Sequence, residues 1–314
     1  MLHNEATNGT NPCNGHLWVN WVVASDGTVT GNYNGTGQPD ANPCTRHDPA
    51  TELRYVRNLL AYQHDTGDIS YAAQIAYYEP MVLANYANVD PRGWVYDDLM
   101  DSYTTSGNVA FLNEAEHMAQ TYLTSGLNTS RIDWQIEEAS VLVQEGNRTS
   151  NAAMMNAGLA ALHAASSAID PTYHLVFISG LAKASQNGDI AVAFARAGDT
   201  ADAILVEHGM NALWDSVYGG YDEGALLTST GLTIQQKKTG GRMANMLILA
   251  RLLNDATLQQ NMMTVLLDDV YLPNLHGVLY EQHQNWSLYV INGTTETWVT
   301  SEAMGIMLET LMPV

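Results

Sequence analysis

From Asp48 onward the sequence repeats one phrase: an apolar-periodic helical stretch, a short turn ending in Gly-Asp or Gly-Asn, and a second helical stretch. The run DPATELRYVRNLLAYQH sets the pattern, with Asp48 as a cap, Pro49 at the first helical position, and Leu53, Val56, Leu59 and Leu60 on one face. The clearest turns are Gly67-Asp68, Gly107-Asn108 and Gly198-Asp199, where glycine takes the left-handed position and the acid or amide caps the next helix. The phrase recurs at about 40 residues or a small multiple, a period that belongs either to an open solenoid or to a closed ring of helical hairpins. A solenoid needs polar terminal caps, yet the final helical stretch, EAMGIMLETLM, is apolar. A ring whose last helix packs on its first accounts for this. The expected fold is therefore all-α, an α/α toroid of about six helical hairpins built from roughly eleven helices.

Residues 1–48 read differently. They are rich in Gly, Asn, Thr and Pro, and hold one strand-like run, HLWVNWVV, that can form a hairpin with VTGNYNGTG. We expect an N-terminal arm over 1–48 and the toroid over 49–314. The chain's two cysteines, Cys13 and Cys44, both lie in this arm in the context NPC, which points to a disulfide pinning it. His16 and His47 each follow a cysteine by three residues, but zinc-ligand spacing is missing, so no metal is expected. No apolar run is long enough to span a membrane. Six glycosylation-type triplets, at Asn8, Asn34, Asn128, Asn147, Asn285 and Asn292, fit a secreted protein.

Charge narrows the partners. The net charge is -21, from 12 basic against 33 acidic residues, which disfavours nucleic acid and anionic membranes. A neutral carbohydrate fits such a surface. Only 14% of residues are charged, so few ion pairs would be lost on acidification, as suits an acidic extracellular setting. The aromatic choice points the same way. Seven Trp and sixteen Tyr stand against three Phe, giving aromatic faces with polar edges suited to sugars.

Three places combine such aromatics with acids. In GWVYDDLM, Asp97 and Asp98 follow Trp94 and Tyr96 at the start of a helix. Adjacent helical residues point about 100° apart, so both carboxyls could line one groove. A retaining glycosidase pair needs its carboxyls about 5–5.5 Å apart. The plainer reading is an acidic first turn that answers the helix dipole. In RIDWQIEEA, Asp133 and Trp134 lie together, with Glu137 and Glu138 a turn later. In WDSVYGGYDEG, Trp214, Tyr218 and Tyr221 surround Asp222 and Glu223. Trp298 sits in the late loop. P-loop, GxGxxG, GxSxG, HExxH and EF-hand patterns are all missing, which argues against nucleotide, lipase and protease chemistry.

Several stretches carry a family resemblance. WDSVYGGYDEG, followed by Lys237-Lys238 and GGRMANMLILARLL, resembles the W-D-x-x-Y-G-G loop and following helix of six-hairpin carbohydrate enzymes, above all the N-acylglucosamine 2-epimerase-like proteins. TWVTSEAMGIMLETL is similar to their final helix. YDDLMDSYTTSGNVAFLNEA resembles a hairpin of the family 76 glycoside hydrolases, which are endo-mannanase-like, and GNRTSNAAMMNAGLAAL loosely resembles their next helix. That likeness implies a catalytic, retaining Asp97–Asp98 pair and no cofactor. The chain departs from both patterns. Met100 and Tyr103 stand where the hydrolases have a Trp pair, and Thr300 and Ser301 stand where the epimerases have a histidine.

The combined expectation is a secreted, monomeric hydrolase of a neutral, mannan-like glycan. Asp97 and Asp98 would be catalytic, and Trp94, Tyr96, Asp133, Trp134, Trp214, Tyr218, Tyr221, Asp222, Glu223 and Trp298 would bind substrate. The rivals are a sugar isomerase or lyase, and a non-catalytic glycan-binding protein. A lyase of uronate chains would require Arg92, Arg131 and Arg242 to converge.

Overall fold

The structure is a computed structural model, and it describes residues 20–23, 29–32, 49–85, 92–273, 277–279, 281–288 and 297–311. Eleven α-helices lie among these residues: α1 Pro49–Thr66, α2 Ala72–Asn85, α3 Gly93–Ser106, α4 Val109–Ser125, α5 Ile132–Thr149, α6 Ala152–Ala165, α7 Ala184–Arg196, α8 Thr200–Met210, α9 Asn245–Leu252, α10 Ala256–Val265 and α11 Ser301–Leu311. The odd-numbered helices form an inner circle in which α1 packs on α3, α3 on α5, α5 on α7, α7 on α9, α9 on α11, and α11 back on α1. Each of the first five has the next helix in sequence, α2, α4, α6, α8 or α10, packed on it from outside. This is the closed α/α toroid expected from the hairpin rhythm. Five hairpins are complete. Among the described residues α11 has no outer partner helix.

The closing seam joins residues about 250 apart in sequence. The Asn58 side chain donates to the Gly305 carbonyl at 3.1 Å, and Arg57 reaches the Glu309 carbonyl. Arg57 also donates to Asp101 on α3, and Arg251 on α9 donates to the Thr310 carbonyl. Apolar burial fills the space between inner and outer helices. Leu53, Val56, Leu99, Phe111 and Leu142 serve one half of the ring, and Ile190, Phe194, Val206, Met246 and Leu247 serve the other.

Short strands connect the helices. Near the seam, β1 (Asn20–Val23) pairs with β2 (Val29–Asn32) and, on its other edge, with β10 (Thr297–Thr300), all antiparallel. On the rim, β3 (Leu181–Lys183), β4 (Gly224–Thr228) and β5 (Gly231–Gln235) form a second antiparallel sheet. Two further ladders join β6 (Lys237–Lys238) to β9 (Gln282–His283) and β7 (Tyr271–Leu272) to β8 (Gly277–Val278). The arm's β1–β2 pairing matches the sequence expectation; its tie to β10 was not foreseen. Cys13 and Cys44, and with them the expected disulfide, lie outside the described residues.

The outer and inner helices begin differently. Asn108, Asn151, Asp199 and Asp255 cap α4, α6, α8 and α10, each side chain accepting from a first-turn N–H. Before Asn108 and Asp199, Gly107 and Gly198 take φ of 70° and 82°, as their turn positions require. The residues in front of α3, α5 and α7 are instead Arg92, Arg131 and Lys183, which are extended and provide no side-chain cap. Those three helix starts face the ring axis.

The tightest helix contact is between α5 and α6. A Cβ placed on Gly158 would sit 2.6 Å from the Ala139 carbonyl oxygen and 2.8 Å from a Val143 methyl. Gly158→Ala is expected to lower stability by about 1–3 kcal/mol through overpacking, despite alanine's better helix propensity. Urea unfolding would show this as a lower midpoint; an unchanged or raised midpoint would mean that α6 can shift away freely.

Candidate active site

The inner helices enclose an axial cavity of about 220 Å³. Its wall is made at the helix starts and along the inward faces. Arg54 comes from α1, Trp94 and Asp97 from α3, Asp133, Trp134 and Glu137 from α5, Gln186, Asp189 and Arg196 from α7, Asn245 from α9 and Glu309 from α11. Arg92, Arg131, Lys183 and Arg242 enter just ahead of α3, α5, α7 and α9. Six cationic side chains therefore line one cavity, half of the chain's 12. Five carboxyls face them.

The charges are interleaved. Arg196 pairs with Asp97, and Arg131 grips Asp133 with two nitrogens, one at 3.1 Å. Gln186 donates to the same Asp133 carboxylate at 3.4 Å. Arg54 lies 2.8 Å from Glu309 and 3.3 Å from Asp98. The guanidinium groups also stack on the indoles: Arg54 lies 4.0 Å and Arg92 5.2 Å from the Trp94 ring centre, and Arg131 lies 4.4 Å from that of Trp134.

Three carboxyls here hold their protons unusually tightly. Burial pushes Asp189 up to about 6, against the Asn245 amide that donates to it at 2.7 Å. Burial also lifts Glu137 well above the usual carboxylate range, reinforced by the charge of Asp189 beside it, although the Gly93 N–H donates to Glu137 at 3.2 Å. Asp98 is fully buried, and its carboxyl oxygens accept no hydrogen bond among the described residues. Burial raises it strongly, with Arg54 opposing and Glu309 adding to the rise. A smaller chamber of about 30 Å³ continues from the cavity, sharing Trp94, Asp97, Glu137 and Asp189 and adding Ser140 and Gln144. That is room for one or two waters.

The structure sorts the sequence-predicted residues into two groups. Trp94, Asp97, Asp133 and Trp134 meet in the cavity. The Asp97–Asp98 pair is split: Asp97 lines the wall, while Asp98 lies behind it against Arg54, because the 100° step between them turns one inward and one into the helix seam. Tyr96 is buried and donates to Glu145 at 2.9 Å, so it supports α5 and does not reach the cavity.

The Trp214–Glu223 loop is also structural in its contacts. Trp214 packs edge-on against buried Tyr221, with ring centres 5.1 Å apart, and Tyr218 faces solvent. Asp222 is buried 3.2 Å from the Lys238 ammonium, which also donates to Asp215 at 3.1 Å and to the Gly220 carbonyl. Glu223 pairs with Lys237 at 2.6 Å. None of these five lines the cavity. Glu138 turns away as well, accepting from the Asn128 N–H. Trp298 lies on β10 opposite Val22, and its side chain is outside the described residues. Asp189, Glu309 and Lys183 were not anticipated. The one signal available for the basic residues was the convergence condition on Arg92, Arg131 and Arg242, and all three do line the cavity.

The raised carboxyls fix the sign of the pH dependence. A carboxyl whose folded pKa exceeds its unfolded value binds protons on folding, so its contribution is complete below about pH 4 and is lost as pH rises through the folded value. For Asp189 that loss runs from about pH 4 to about 6; Glu137 and Asp98, raised in the same direction by burial, act with the same sign. Chemical unfolding is expected to need more denaturant at pH 5 than at pH 7.5, and Asp189→Asn is expected to flatten the difference. Stability that climbs toward neutral pH would contradict this arrangement.

No protein-family model matches the sequence, and no curated protein matches it. Solved structures do match over nearly the whole chain. D-mannose isomerase superposes with a TM-score of 0.63 at 9% identity, covering 98% of this chain and 93% of its own. Cellobiose 2-epimerase from Bacillus thermoamylovorans gives 0.63 at 9%, covering 99% and 94%. A family 76 glycoside hydrolase from a bovine Bacteroides thetaiotaomicron strain gives 0.64 at 8%, covering 99% and 74%. The two groups of proteins that the sequence motifs resemble are thus both among the structural neighbours, and this chain has the six-hairpin α/α-toroid fold they share.

Proposed function

We propose that the protein is a carbohydrate-active enzyme, and specifically a glycoside hydrolase working in the axial cavity. The observation that carries this reading is the meeting of Asp97 and Asp189 with Trp94 and Trp134 on one cavity wall. Glycoside cleavage takes one carboxyl that donates a proton to the leaving oxygen and one that attacks or activates water. Asp189, held up to about 6, suits the acid. Asp97, ion-paired with Arg196, suits the carboxylate partner. Asp98 then acts at one remove, through Arg54 and Glu309, in place of the retaining role expected for it from the adjacent pair. Gln186 and Asn245 provide hydrogen bonds for sugar hydroxyls, and the indoles provide apolar edges. The structural neighbours, named for sugar isomerisation, epimerisation and glycoside hydrolysis, support the carbohydrate class. Between those chemistries the cavity wall favours carboxyl catalysis, since it holds no histidine among the described residues.

The test is release of reducing sugar from a panel of mannans, glucans, xylans and uronate-containing glycans. Asp97→Asn and Asp189→Asn are each expected to lower the rate by about 10²–10⁴-fold with the fold intact. Wild-type activity is expected to decline as pH rises through about 6, where Asp189 loses its proton. Binding without cleavage across the panel would replace the hydrolase with a glycan-binding protein. Sugar interconversion that survives Asp97→Asn would replace it with an isomerase.

A further inference from the structure

The overall charge of -21 argues for a neutral ligand, but the cavity does not share that sign. Six cations meet five carboxyls there. Of those carboxyls, Glu137 and Asp189 stay protonated to unusually high pH because they are buried. At mildly acidic pH the wall therefore carries surplus positive charge. Burying a guanidinium costs hydration that a partner or ligand of opposite charge has to offset. A site for neutral sugars has no need of half the chain's basic residues.

The placement of these residues sharpens the point. Arg92, Lys183 and Arg242 stand ahead of α3, α7 and α9, and all three line the same cavity. Arg92 lies against Trp94. Lys183 makes no ion pair among the described residues. It is fixed by its backbone, in β3 against Gly224, and its carbonyl accepts from Asn187 at 3.1 Å. A planar acid group is the complement of such an arrangement, because guanidinium forks and an ammonium donate charge-assisted hydrogen bonds to its oxygens.

Resting on the carbohydrate reading above, we propose that the natural substrate is an acidic sugar, bearing a carboxylate or a sulfate ester that Arg92, Lys183 and Arg242 receive. The substrate class then differs from the neutral glycan suggested by the overall charge. The binding step involves no covalent change. It places the charged substituent at the helix starts and leaves the glycosidic bond toward Asp97 and Asp189.

Calorimetric titration of the full chain at pH 5.5 with matched sugars tests this. The probes are glucuronate, glucose 6-sulfate and glucose, with the corresponding mannose and galactose sets. In at least one set an acidic member is expected to bind about tenfold or more tightly than its neutral parent, and the preference is expected to shrink as salt rises. A stronger response to the uronate assigns the acid as carboxylate; a stronger response to the ester assigns it as sulfate. Lys183→Met is expected to abolish most of the preference for the acidic member over its neutral parent, and Lys183→Arg is expected to restore it. Arg242→Met serves as a second variant should Lys183→Met fail to fold. Equal binding of acidic and neutral members in every set overturns the acidic substrate and leaves the carbohydrate reading standing. No binding of any member, together with no hydrolysis of any glycan in the panel, overturns both.

Discussion

The packing of α11 against α1 is the contact on which everything else depends. The inner helices surround an axis only because the sixth of them returns to the first. The seam is held by polar groups as much as by apolar ones: Asn58 to the Gly305 carbonyl, Arg57 to the Glu309 carbonyl and Asp101, and Arg54 between Glu309 and Asp98. Breaking a buried ion pair by removing one partner costs far more than never having built it. Such groups therefore specify this closure over alternatives in which α11 packs elsewhere. They also bring Glu309, near the end of the chain, to the wall formed by α3, α5 and α7.

The ring separates two jobs that helix starts can perform. On the outside, Asn108, Asn151, Asp199 and Asp255 satisfy first-turn N–H groups locally, which anchors each hairpin turn. On the inside, Arg92, Arg131 and Lys183 occupy the equivalent positions without capping, and the first N–H of α3 is met instead by Glu137 of α5. The outer arrangement favours stability, and the inner one favours a concentrated field. The interleaved carboxyls keep that field from being prohibitive, since each guanidinium with a carboxylate neighbour loses less hydration energy than one left alone.

Much of the scaffold was legible in the sequence because helix periodicity and Gly-Asp or Gly-Asn turns are local signals. The ring could be inferred from the apolar last helix, which an open solenoid would leave exposed. The site was legible only where aromatic and acid are neighbours on an inner helix start, as at Trp94–Asp97 and Asp133–Trp134. The same adjacency in WDSVYGGYDEG lies away from the cavity wall, where Lys238 arrives from a two-residue strand and pairs with Asp215 and Asp222 in the protein interior. Asp189 and Glu309 were hidden for the opposite reason. They sit at the start of IAVAFA and the end of AMGIML, two apolar runs, and a helix buried on nearly all sides reads as core whichever residue faces the axis. Net charge is a sum over the whole chain and says nothing of where its 12 basic residues are placed.

Arg54 touches both the wall and the seam, since it lies between Glu309 in the cavity and Asp98 behind it. A charge bound beside Arg54 would alter the field at Asp98, whose carboxyl burial already holds well above the usual range. Occupancy and hydrogen-ion exchange are then thermodynamically linked, so the apparent heat of complex formation depends on the ionisation enthalpy of the buffer. Comparing acetate with a strongly exothermic protonating amine buffer would count the protons that move.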